Sequence, residues 1–329
     1  MQKRPIIIID GLNIFLRNFM VNEAVNSNSE PVGGVYGFLK FLDMVLYRWS
    51  PAKIIVVWEQ GGPSPRRKHI YSEYKSNRGK VKAFKKEETI KDLLVHDIEN
   101  RVKQLLMLNN MLKLTPICQI FVKETECDDI IGYLVKNVYN KEDCLKLIMS
   151  SDKDFYQLLE QENVLIYDPG KKITIDKNYV LNKYNIHPRQ ICLARTIAGD
   201  PSDNLDGVPG VGLKTLSKRF KSFQEASKDI NIDDILEESK NILKTNKKLQ
   251  APQDIISCEE IIRRNWKLMY LNSSNLAAFQ IEKIHGTLEQ FDPNLNKFGL
   301  IKEALKNGLN IPFDFNNFCN LLKQNLLFE

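Results

Sequence analysis

Short apolar runs alternate with amphipathic segments over the first 200 residues of the chain. The runs are rich in β-branched residues and are bounded by polar turns, a pattern typical of buried strands. The predicted strands are residues 4–9, 53–58, 116–122, 145–149, 164–167 and 172–175. Segments 33–49, 87–114 and 189–198 carry apolar residues at helical spacing and predict helices. This alternation predicts an α/β fold with a parallel sheet and helices on both faces.

Beyond residue 220 the pattern becomes mostly helical and rich in Lys and Asn. No repeat and no Pro-, Gly- or Ser-rich linker separates this part from the rest. We therefore predict an α/β domain over residues 1–180 and a helical domain over residues 181–329 that includes a C-terminal tail.

Composition narrows the classes of protein to which the chain can belong. Of its 329 residues 43% are apolar, which is enough for a packed core, and the net charge of +6 favours a polyanionic partner. The six cysteines are scattered without a C-x-x-C pair, which argues against structural zinc and against a disulfide framework. No signal peptide or membrane-length apolar run is present. These features predict a soluble protein of the cytoplasm, or of the host cytoplasm if a phage encodes it.

Acidic residues stand at the ends of four predicted strands: Asp10, Glu59, Glu126, Asp128, Asp152 and Asp154. The carboxyl ends of parallel strands meet at one edge of a sheet, which is also where ligands bind. So many carboxylates in one cleft must take up protons or share cations. Oxygen ligands without His or Cys suit Mg²⁺ or Mn²⁺ rather than zinc. Each acid alone could instead be a turn residue or a helix cap.

The stretch 195–220 adds two acids and a glycine-rich turn. Asp200 and Asp203 precede G-V-P-G-V-G at residues 207–212, and a basic helical pattern with Lys214 and Lys218 follows. Backbone N–H groups at such a turn favour a phosphate backbone, although a tight turn between two helices is the alternative explanation of the glycines. With these two, eight acids are available, which is enough for two metal ions.

The segment 66–86 concentrates positive charge. Nine Lys or Arg residues and a single acid, Glu73, give it a local charge of +8, more than the +6 of the whole chain. Tyr71 and Tyr74 lie among these cations, where they could stack on nucleic-acid bases. The alternative is a solvated loop that binds nothing.

Several of these patterns occur in the order found in the 5′-nuclease (flap endonuclease) superfamily. They are I-D-G at Asp10, E-P-V-G-G-V-Y-G-F at 30–38, the R-x-x-x-Y-x-x-Y-K-x-x-R signature ending at Arg78, E-x-D-D at 126–129, S-x-D-x-D at 150–154, and G-D-P-S-D-N-L-D-G-V-P-G-V-G at 199–212. The chain most resembles phage-type 5′-exonucleases, also called phage RNase H, and the 5′-nuclease domain of bacterial DNA polymerase I. The resemblance implies a PIN-like fold, a basic arch at about residues 60–105 and a helix-three-turn-helix at 195–220.

The resemblance also implies roles for particular residues. Metal ligation is implied for Asp10, Glu59, Glu126, Asp128, Asp129, Asp152, Asp154, Asp200 and Asp203. Lys75, with Arg66 or Arg67, would neutralise charge on the scissile phosphate, and Arg78 would bind DNA in the arch. Contacts to the duplex are implied for Gly207, Val208, Gly210, Val211, Gly212, Lys214 and Lys218, and a K⁺ ion is expected in that turn. The family usually has Asp where this chain has Glu59, which leaves the ligand role of Glu59 open.

The expected function is a two-metal, structure-specific 5′ nuclease that acts as a monomer, without a membrane, on DNA and RNA–DNA duplexes with 5′ flaps or ends. Removal of primers and flaps in DNA replication would involve a single-strand-binding protein. The tail Gln324–Phe328 reads Q-N-L-L-F and resembles sliding-clamp-binding peptides, although packing of its apolar residues onto the core explains it as well. The alternatives are a nuclease-inactive, structure-specific DNA-binding protein and a PIN-type RNase; the glycine turn argues against the second.

Overall fold

A six-stranded sheet organises the chain in the computed structural model. The structure describes residues 3–60, 62, 64–77, 98–141, 143–225, 229–309 and 311–327. The strand order is β3-β2-β1-β4-β5-β6, so the isoleucine-rich β1 lies in the middle. The strands are β1 Ile6–Asp10, β2 Lys53–Gln60, β3 Cys118–Lys123, β4 Lys146–Met149, β5 Val164–Asp168 and β6 Ile173–Ile175.

Helices fill the connections and continue to the C-terminus. The α-helices are α1 Gly11–Val21, α2 Gly33–Trp49, α3 Pro65–Ile70, α4 Ile98–Leu112, α5 Cys127–Tyr133, α6 Lys177–Tyr184, α7 Pro188–Ala198, α8 Leu213–Arg219, α9 Ile232–Thr245, α10 Gln250–Ser257, α11 Glu259–Met269, α12 Ala278–Glu289, α13 Lys297–Lys306 and α14 Phe315–Leu326. A π-helical turn, Leu134–Val138, extends α5, and short 3-10 helices cover Lys153–Glu160, Pro201–Asp203, Lys221–Gln224 and Ser273–Asn275.

The strands alternate between two cores, one on each face of the sheet. Ile6 and Ile8 of β1 belong to the core that is formed with α5 to α12, whereas Ile7 and Ile9 belong to the core that is formed with α1, α2, α4, α13 and α14. This alternation follows from the twofold side-chain period of a strand, and it explains why β1 is apolar without interruption. The predicted α/β fold with helices on both faces is confirmed.

One feature of the sheet differs from the prediction. β1 to β5 are parallel, but β6 runs antiparallel to β5, so the sheet is mixed. Only residues 169–172 separate β5 from β6. A connection of this length closes a hairpin, whereas a parallel crossover needs a dozen residues or more.

The predicted arch lies largely outside the described residues. Residues 78–97, including Arg78 and the first part of the predicted helix 87–114, are not among those the structure describes. The described parts are α3, the turn at residues 71–77, and α4, which begins at Ile98.

The C-terminal helix packs against the sheet and α2. Phe318 and Leu322 of α14 are buried in the core beside α2, and the carbonyl oxygen of Asn325 accepts a hydrogen bond from Arg4. Packing therefore accounts for the apolar residues of the tail up to Leu326, which also lies against this core. Phe328 lies outside the described residues.

Candidate functional site

The carboxyl edge of the sheet carries the predicted acids because strand ends and helix caps place them there. Asp10 is the last residue of β1 and caps α1 by accepting a hydrogen bond from the N–H of Asn13 at 3.1 Å. Asp152 follows β4 and caps the 3-10 helix by accepting from the N–H of Asp154 at 2.9 Å. Ser150 donates its hydroxyl to Asp10 at 3.1 Å and so joins the two strand ends. Asp10 and Asp152, which cap the helices that follow their strands, therefore lie together at one edge of the sheet.

Seven carboxylates line one cavity of about 150 Å³ at this edge. They are Asp10, Glu59, Glu126, Asp128, Asp152, Asp154 and Asp203. Lys75 lines the same cavity, with its ammonium hydrogen-bonded to Glu126 and 3.8 Å from Asp203. The structure thus brings together the end of β1, residues of β2, the loops after β3 and β4, and the segment before the glycine turn.

Two of the predicted ligands do not line the cavity. Asp129 accepts hydrogen bonds from Arg67 at 3.0 Å and from Asn275 at 2.8 Å, because the residue after Asp128 on α5 projects from a different side of the helix. Asp200 accepts from Arg195 at 2.7 Å and from the Ser202 hydroxyl at 2.6 Å. In this structure both carboxylates are engaged by protein groups beside the cavity.

Burial dominates the electrostatics of the cavity. It raises the pKa of Asp10 to about 7 and, although Arg195 opposes the effect, that of Asp154 to about 8. Burial also raises the pKa of Asp152. Asp128 differs: burial is outweighed by the charges of Arg67 and Lys75, which lower its pKa. The carboxylates of Asp10, Asp152 and Asp154 are thus costly to ionise unless further positive charge enters.

A divalent metal ion fits this set of donors. The acidic donors are oxygen atoms, which Mg²⁺ and Mn²⁺ prefer. Among the described residues, no three acidic, His or Cys side chains are arranged to hold an ion directly. Mg²⁺ keeps several of its waters, so carboxylates that are farther apart can hold it through bridging water. Cys127 also lines the cavity, but burial raises its pKa well above the ordinary value, so the neutral thiol is a poor ligand.

This charge balance predicts how metal binding depends on pH. Because the folded-state pKa values of Asp10 and Asp154 lie above those of the unfolded chain, the folded protein binds more protons between about pH 4 and 8, and its stability falls as pH rises through that window. Metal must displace those protons, so its affinity is expected to rise by up to about tenfold per pH unit for each proton released. Mg²⁺ should therefore raise the melting temperature more at pH 8.5 than at pH 6, measured against EDTA at each pH. An equal rise in the melting temperature at the two pH values would contradict this prediction.

Arg67 lies beneath the carboxylates rather than at the cavity wall. Its guanidinium is fully buried and contacts Glu126, Asp128 at 3.2 Å and Asp129 at 3.0 Å. Because these three acids occupy the guanidinium, Arg67 is not available to a phosphate in this arrangement, in contrast to the role expected for it. The structure gives it the role of a structural counter-ion.

Arg66, one position earlier, points elsewhere. Its Nη1 is 3.5 Å from the carbonyl oxygen of Lys267 on α11, and its side chain is partly exposed. Of the three predicted phosphate-neutralising cations, Lys75 alone lines the cavity.

The two tyrosines of this segment are also engaged within the protein. Tyr74 is buried, and its hydroxyl is 3.1 Å from both Glu126 and Asp203. The ring of Tyr71 is covered by the guanidinium of Arg264, 4.1 Å from its centre. In this arrangement Tyr74 is occupied by acidic residues of the site, and one face of the Tyr71 ring is occupied by Arg264.

Arg195 is a residue of the site that the sequence motifs did not single out. From α7 it donates to Asp154 at 2.8 Å and to Asp200 at 2.7 Å, with 11% of its side chain exposed. An arginine among buried residues of the last turns of α7, directly before G-D-x-S-D, was the available signal, since a buried guanidinium requires acidic partners.

The glycine turn and α8 form a second, basic feature. Gly210 has φ +69°, a conformation that favours glycine. A side chain on Gly207 would meet the carbonyl group of Ala198 at 2.2 Å, so this glycine serves close packing of the turn on α7. A groove of about 660 Å³ beside the turn is lined by Pro209, Gly210, Val211, Lys214, Thr215, Lys218, Arg219, Gln250, Ala251 and Asp254. The turn therefore combines packing with an exposed cationic surface.

Comparisons with known proteins agree with this architecture. Residues 5–185 match the family model described as 5′-3′ exonuclease, N-terminal resolvase-like domain. A 5′-3′ exonuclease of Buchnera aphidicola subsp. Schizaphis graminum is 31% identical over 235 residues, which is 70% of this chain and 75% of that protein. The 5′-3′ exonuclease of Aquifex aeolicus is 28% identical over 295 residues, 89% of each chain.

Among solved structures, the bacteriophage T5 flap endonuclease in a pseudo-enzyme–product complex with DNA and metal ions superimposes with a TM-score of 0.69 at 20% identity, covering 92% of this chain and 100% of that one. The mixed sheet with an acidic carboxyl edge and a helical C-terminal region thus defines a resolvase-like, PIN-like nuclease fold. The chain belongs to the 5′-3′ exonuclease family. The described helices are too short or too polar to cross a membrane.

Proposed function

We propose that the protein is a Mg²⁺-dependent, structure-specific 5′ nuclease that hydrolyses phosphodiester bonds near 5′ ends and flaps and removes RNA primers and flaps in DNA replication. The observation that carries this proposal is the cavity with seven carboxylates and one lysine at the carboxyl edge of the sheet. Membership of the 5′-3′ exonuclease family supports the reaction class.

The acids that line the cavity are the proposed metal-binding residues. Two Mg²⁺ ions, for which Mn²⁺ can substitute, would be held by Asp10, Glu59, Glu126, Asp128, Asp152, Asp154 and Asp203. Held by these residues, such ions would supply the activation of a water molecule and the stabilisation of developing charge for an in-line displacement at phosphorus. Asp129 and Asp200 lie beside the cavity in ion pairs with Arg67 and Arg195, and these pairs would help to fix the positions of the ligands.

The remaining residues bind and orient the substrate. The ammonium of Lys75 would lie beside a phosphodiester that enters the cavity, where a fixed positive charge favours the transition state. Arg66 and Arg78 are proposed to contact the strand that passes the arch. Residues 207–212, with Lys214 and Lys218, would bind the backbone of the downstream duplex, and a K⁺ ion is proposed in the turn.

The proposed organisation and partners follow the sequence predictions. We propose a catalytic domain up to about residue 180, near the end of the family match at 185, and a DNA-binding helical domain after it. The protein would act as a monomer in the cytoplasm. A single-strand-binding protein and a sliding clamp are proposed partners, although docking of Gln324–Phe328 on a clamp would require the last turn of α14 to leave the core.

Cleavage of end-labelled substrates tests the proposed function. A 5′-flapped DNA duplex and an RNA–DNA duplex with a 5′ end should be cut near the junction or end. A folded RNA of equal length and a covalently closed duplex should not be cut. Cleavage confined to the folded RNA would instead indicate a PIN-type RNase, and tight flap binding without cleavage would indicate a nuclease-inactive DNA-binding protein.

Glu59 provides a direct test of one proposed ligand. The family usually has Asp at this position, and the side chain of Glu59 lines the cavity. Glu59→Asp is expected to keep or raise the cleavage rate, because it keeps the charge on a shorter side chain. Glu59→Gln is expected to lower it by about tenfold or more, since a charged contact in a site is lost. If the rate of flap cleavage depends on Mg²⁺ concentration in the same way in the wild type and both variants, Glu59 is not a metal ligand.

The basic groove predicts how binding depends on salt. Replacing Lys214 or Lys218 by Ala should reduce the slope of log affinity against log salt by about one each, because each contacts one phosphate. Lys302, an exposed lysine of α13 on the opposite face of the sheet, is the matched control and should leave the slope unchanged. Fluorescence anisotropy with a flapped duplex at several salt concentrations measures this. If the slope of log affinity against log salt is the same in the wild type and in all the lysine variants, the groove is not the duplex-binding site.

A further inference from the structure

The turn that carries Lys75 is tied to the loop that carries Asp203. We call residues 71–77 the Lys75 turn and residues 200–205 the Asp203 loop. The N–H of Lys75 donates to the carbonyl oxygen of Asp203 at 2.9 Å, and Asn77 donates its side-chain amide to the carbonyl oxygen of Pro201 at 2.8 Å. These bonds join segments more than 120 residues apart in the chain. The position of the lysine therefore depends on the loop.

Asn204 spans the Lys75 turn on both sides of the lysine. Its side-chain amide donates to the carbonyl oxygen of Glu73 at 2.8 Å and to the hydroxyl of Ser76 at 3.1 Å. The two N–H donors of one amide group are thus used by acceptors that precede and follow Lys75. Asn204 itself has φ 59° and ψ 40°, a left-handed conformation that Asn tolerates well.

Lys75 requires such support because of its own backbone. Its φ of 55° lies in the left-handed region, which is unfavourable for a residue with a long side chain. A conformation of this kind persists only where neighbouring groups hold it. Because the side chain is only 8% exposed and its ammonium lies against Glu126, a relaxed turn would withdraw the charge from the cavity.

The Asp203 loop also leads directly into the duplex-binding turn. Asn204 is three residues before Gly207, whose backbone packs on Ala198 and Gly199. The N–H of Asp200 donates to the carbonyl oxygen of Leu205 at 2.8 Å, and that of Leu205 donates back at 2.9 Å, so the loop is closed on itself. A short, closed loop thus connects the surface proposed for duplex binding to the cation at the cavity.

We infer that Asn204 is a positioning residue: through its two hydrogen bonds to the Lys75 turn, it holds Lys75 in place for phosphodiester hydrolysis. This inference rests on the proposed function. It assigns to Asn204 no contact with substrate or metal. The expected consequence is a loss of rate that acts through Lys75 and leaves duplex binding intact.

Two substitutions at position 204 separate geometry from charge. Asn204→Asp keeps the shape and tolerates the left-handed backbone but cannot donate, and Asn204→Gly keeps the backbone conformation without adding charge. Both should lower the single-turnover cleavage rate of a 5′ flap by about 10- to 100-fold, as a small displacement of a catalytic group does. The dissociation constant of the flap should change less than about twofold. Asn185→Asp, another left-handed asparagine at the end of α6, is the control and should retain full rate.

A double-mutant cycle distinguishes positioning of Lys75 from a general structural role of Asn204. It compares the effect of Asn204→Asp on the cleavage rate in the presence and in the absence of the Lys75 side chain. Lys75→Ala alone tests the proposed function, since it should lower the rate whether or not Asn204 matters. In the Lys75→Ala background, Asn204→Asp should have little further effect, because residues that act as one unit are non-additive. Full additivity, or an unchanged rate in both single Asn204 variants while Lys75→Ala is slow, would overturn the inference. An unchanged rate in Lys75→Ala would overturn the proposed role of Lys75 instead.

Discussion

Asp152→Asn is expected to abolish cleavage while the protein still folds and binds a flapped duplex. Asp152 follows β4 at the cavity and also caps the following 3-10 helix. Asn is as good a cap as Asp, so the substitution removes the charge and keeps the local structure. Loss of one charged contact to a transition state typically lowers the rate by about 10²- to 10³-fold, and loss of a metal ligand should cost at least as much.

Single-turnover cleavage of a 5′ flap at saturating Mg²⁺, with flap affinity measured in Ca²⁺, checks this prediction. The matched control is Asp176→Asn, because Asp176 caps α6 by accepting from the N–H of Tyr179 and does not line the cavity. The control should keep the wild-type rate. Near-normal cleavage by Asp152→Asn at millimolar Mg²⁺ would remove Asp152 from the metal site.

Arg67→Met is expected to cause the largest loss of stability among the changes considered. The guanidinium of Arg67 is fully buried against Glu126, Asp128 and Asp129. Removing one partner of a buried ionic cluster leaves charge without compensation and typically costs about 3–5 kcal/mol in the free energy of unfolding. Methionine retains much of the apolar volume, so the loss reflects the charge rather than a cavity.

Urea unfolding in EDTA measures this effect, since bound metal would otherwise offset part of it. Arg66→Met is the matched control one residue away: Arg66 is partly exposed, so its removal should cost less than about 1 kcal/mol. If the two variants unfold at the same urea concentration, Arg67 does not hold the carboxylates together.

Much of the fold could be predicted because local rules decide it. The apolar strands β1, β2 and β4 and the helix α2 lie within about two residues of their predicted bounds, since β-branched runs and helical spacing fix them. The antiparallel direction of β6 was missed because the argument from alternating strands and helices did not consider the length of the connection. The four residues 169–172 are too few for a parallel crossover and close a hairpin.

The site was predictable in its composition but not in its contacts. That Asp10, Asp152 and Asp154 share an edge followed from strand topology alone. The burial of Arg67 against the acids depends on the direction of its side chain, which the sequence does not show. The hydrogen bond from Asn275 to Asp129 joins residues nearly 150 positions apart. Arg195 was missed for a related reason: one of its partners, Asp154, is 41 positions away and becomes a neighbour only in the folded chain. The other partner, Asp200, is five positions away, but the motif itself does not show that the two side chains meet.

Flap cleavage as a function of Mg²⁺ concentration tests most directly whether the carboxylate cavity is a metal-dependent nuclease centre. With a 5′-labelled flap under single-turnover conditions, we predict no cleavage in EDTA, a steep rise in rate with Mg²⁺, and recovery of activity with Mn²⁺. Asp152→Asn should remain inactive across the whole titration while binding the flap as tightly as the wild-type protein in Ca²⁺. Cleavage that persists in EDTA, or a wild-type protein that binds the flap but does not cut it at any Mg²⁺ concentration, would contradict the account.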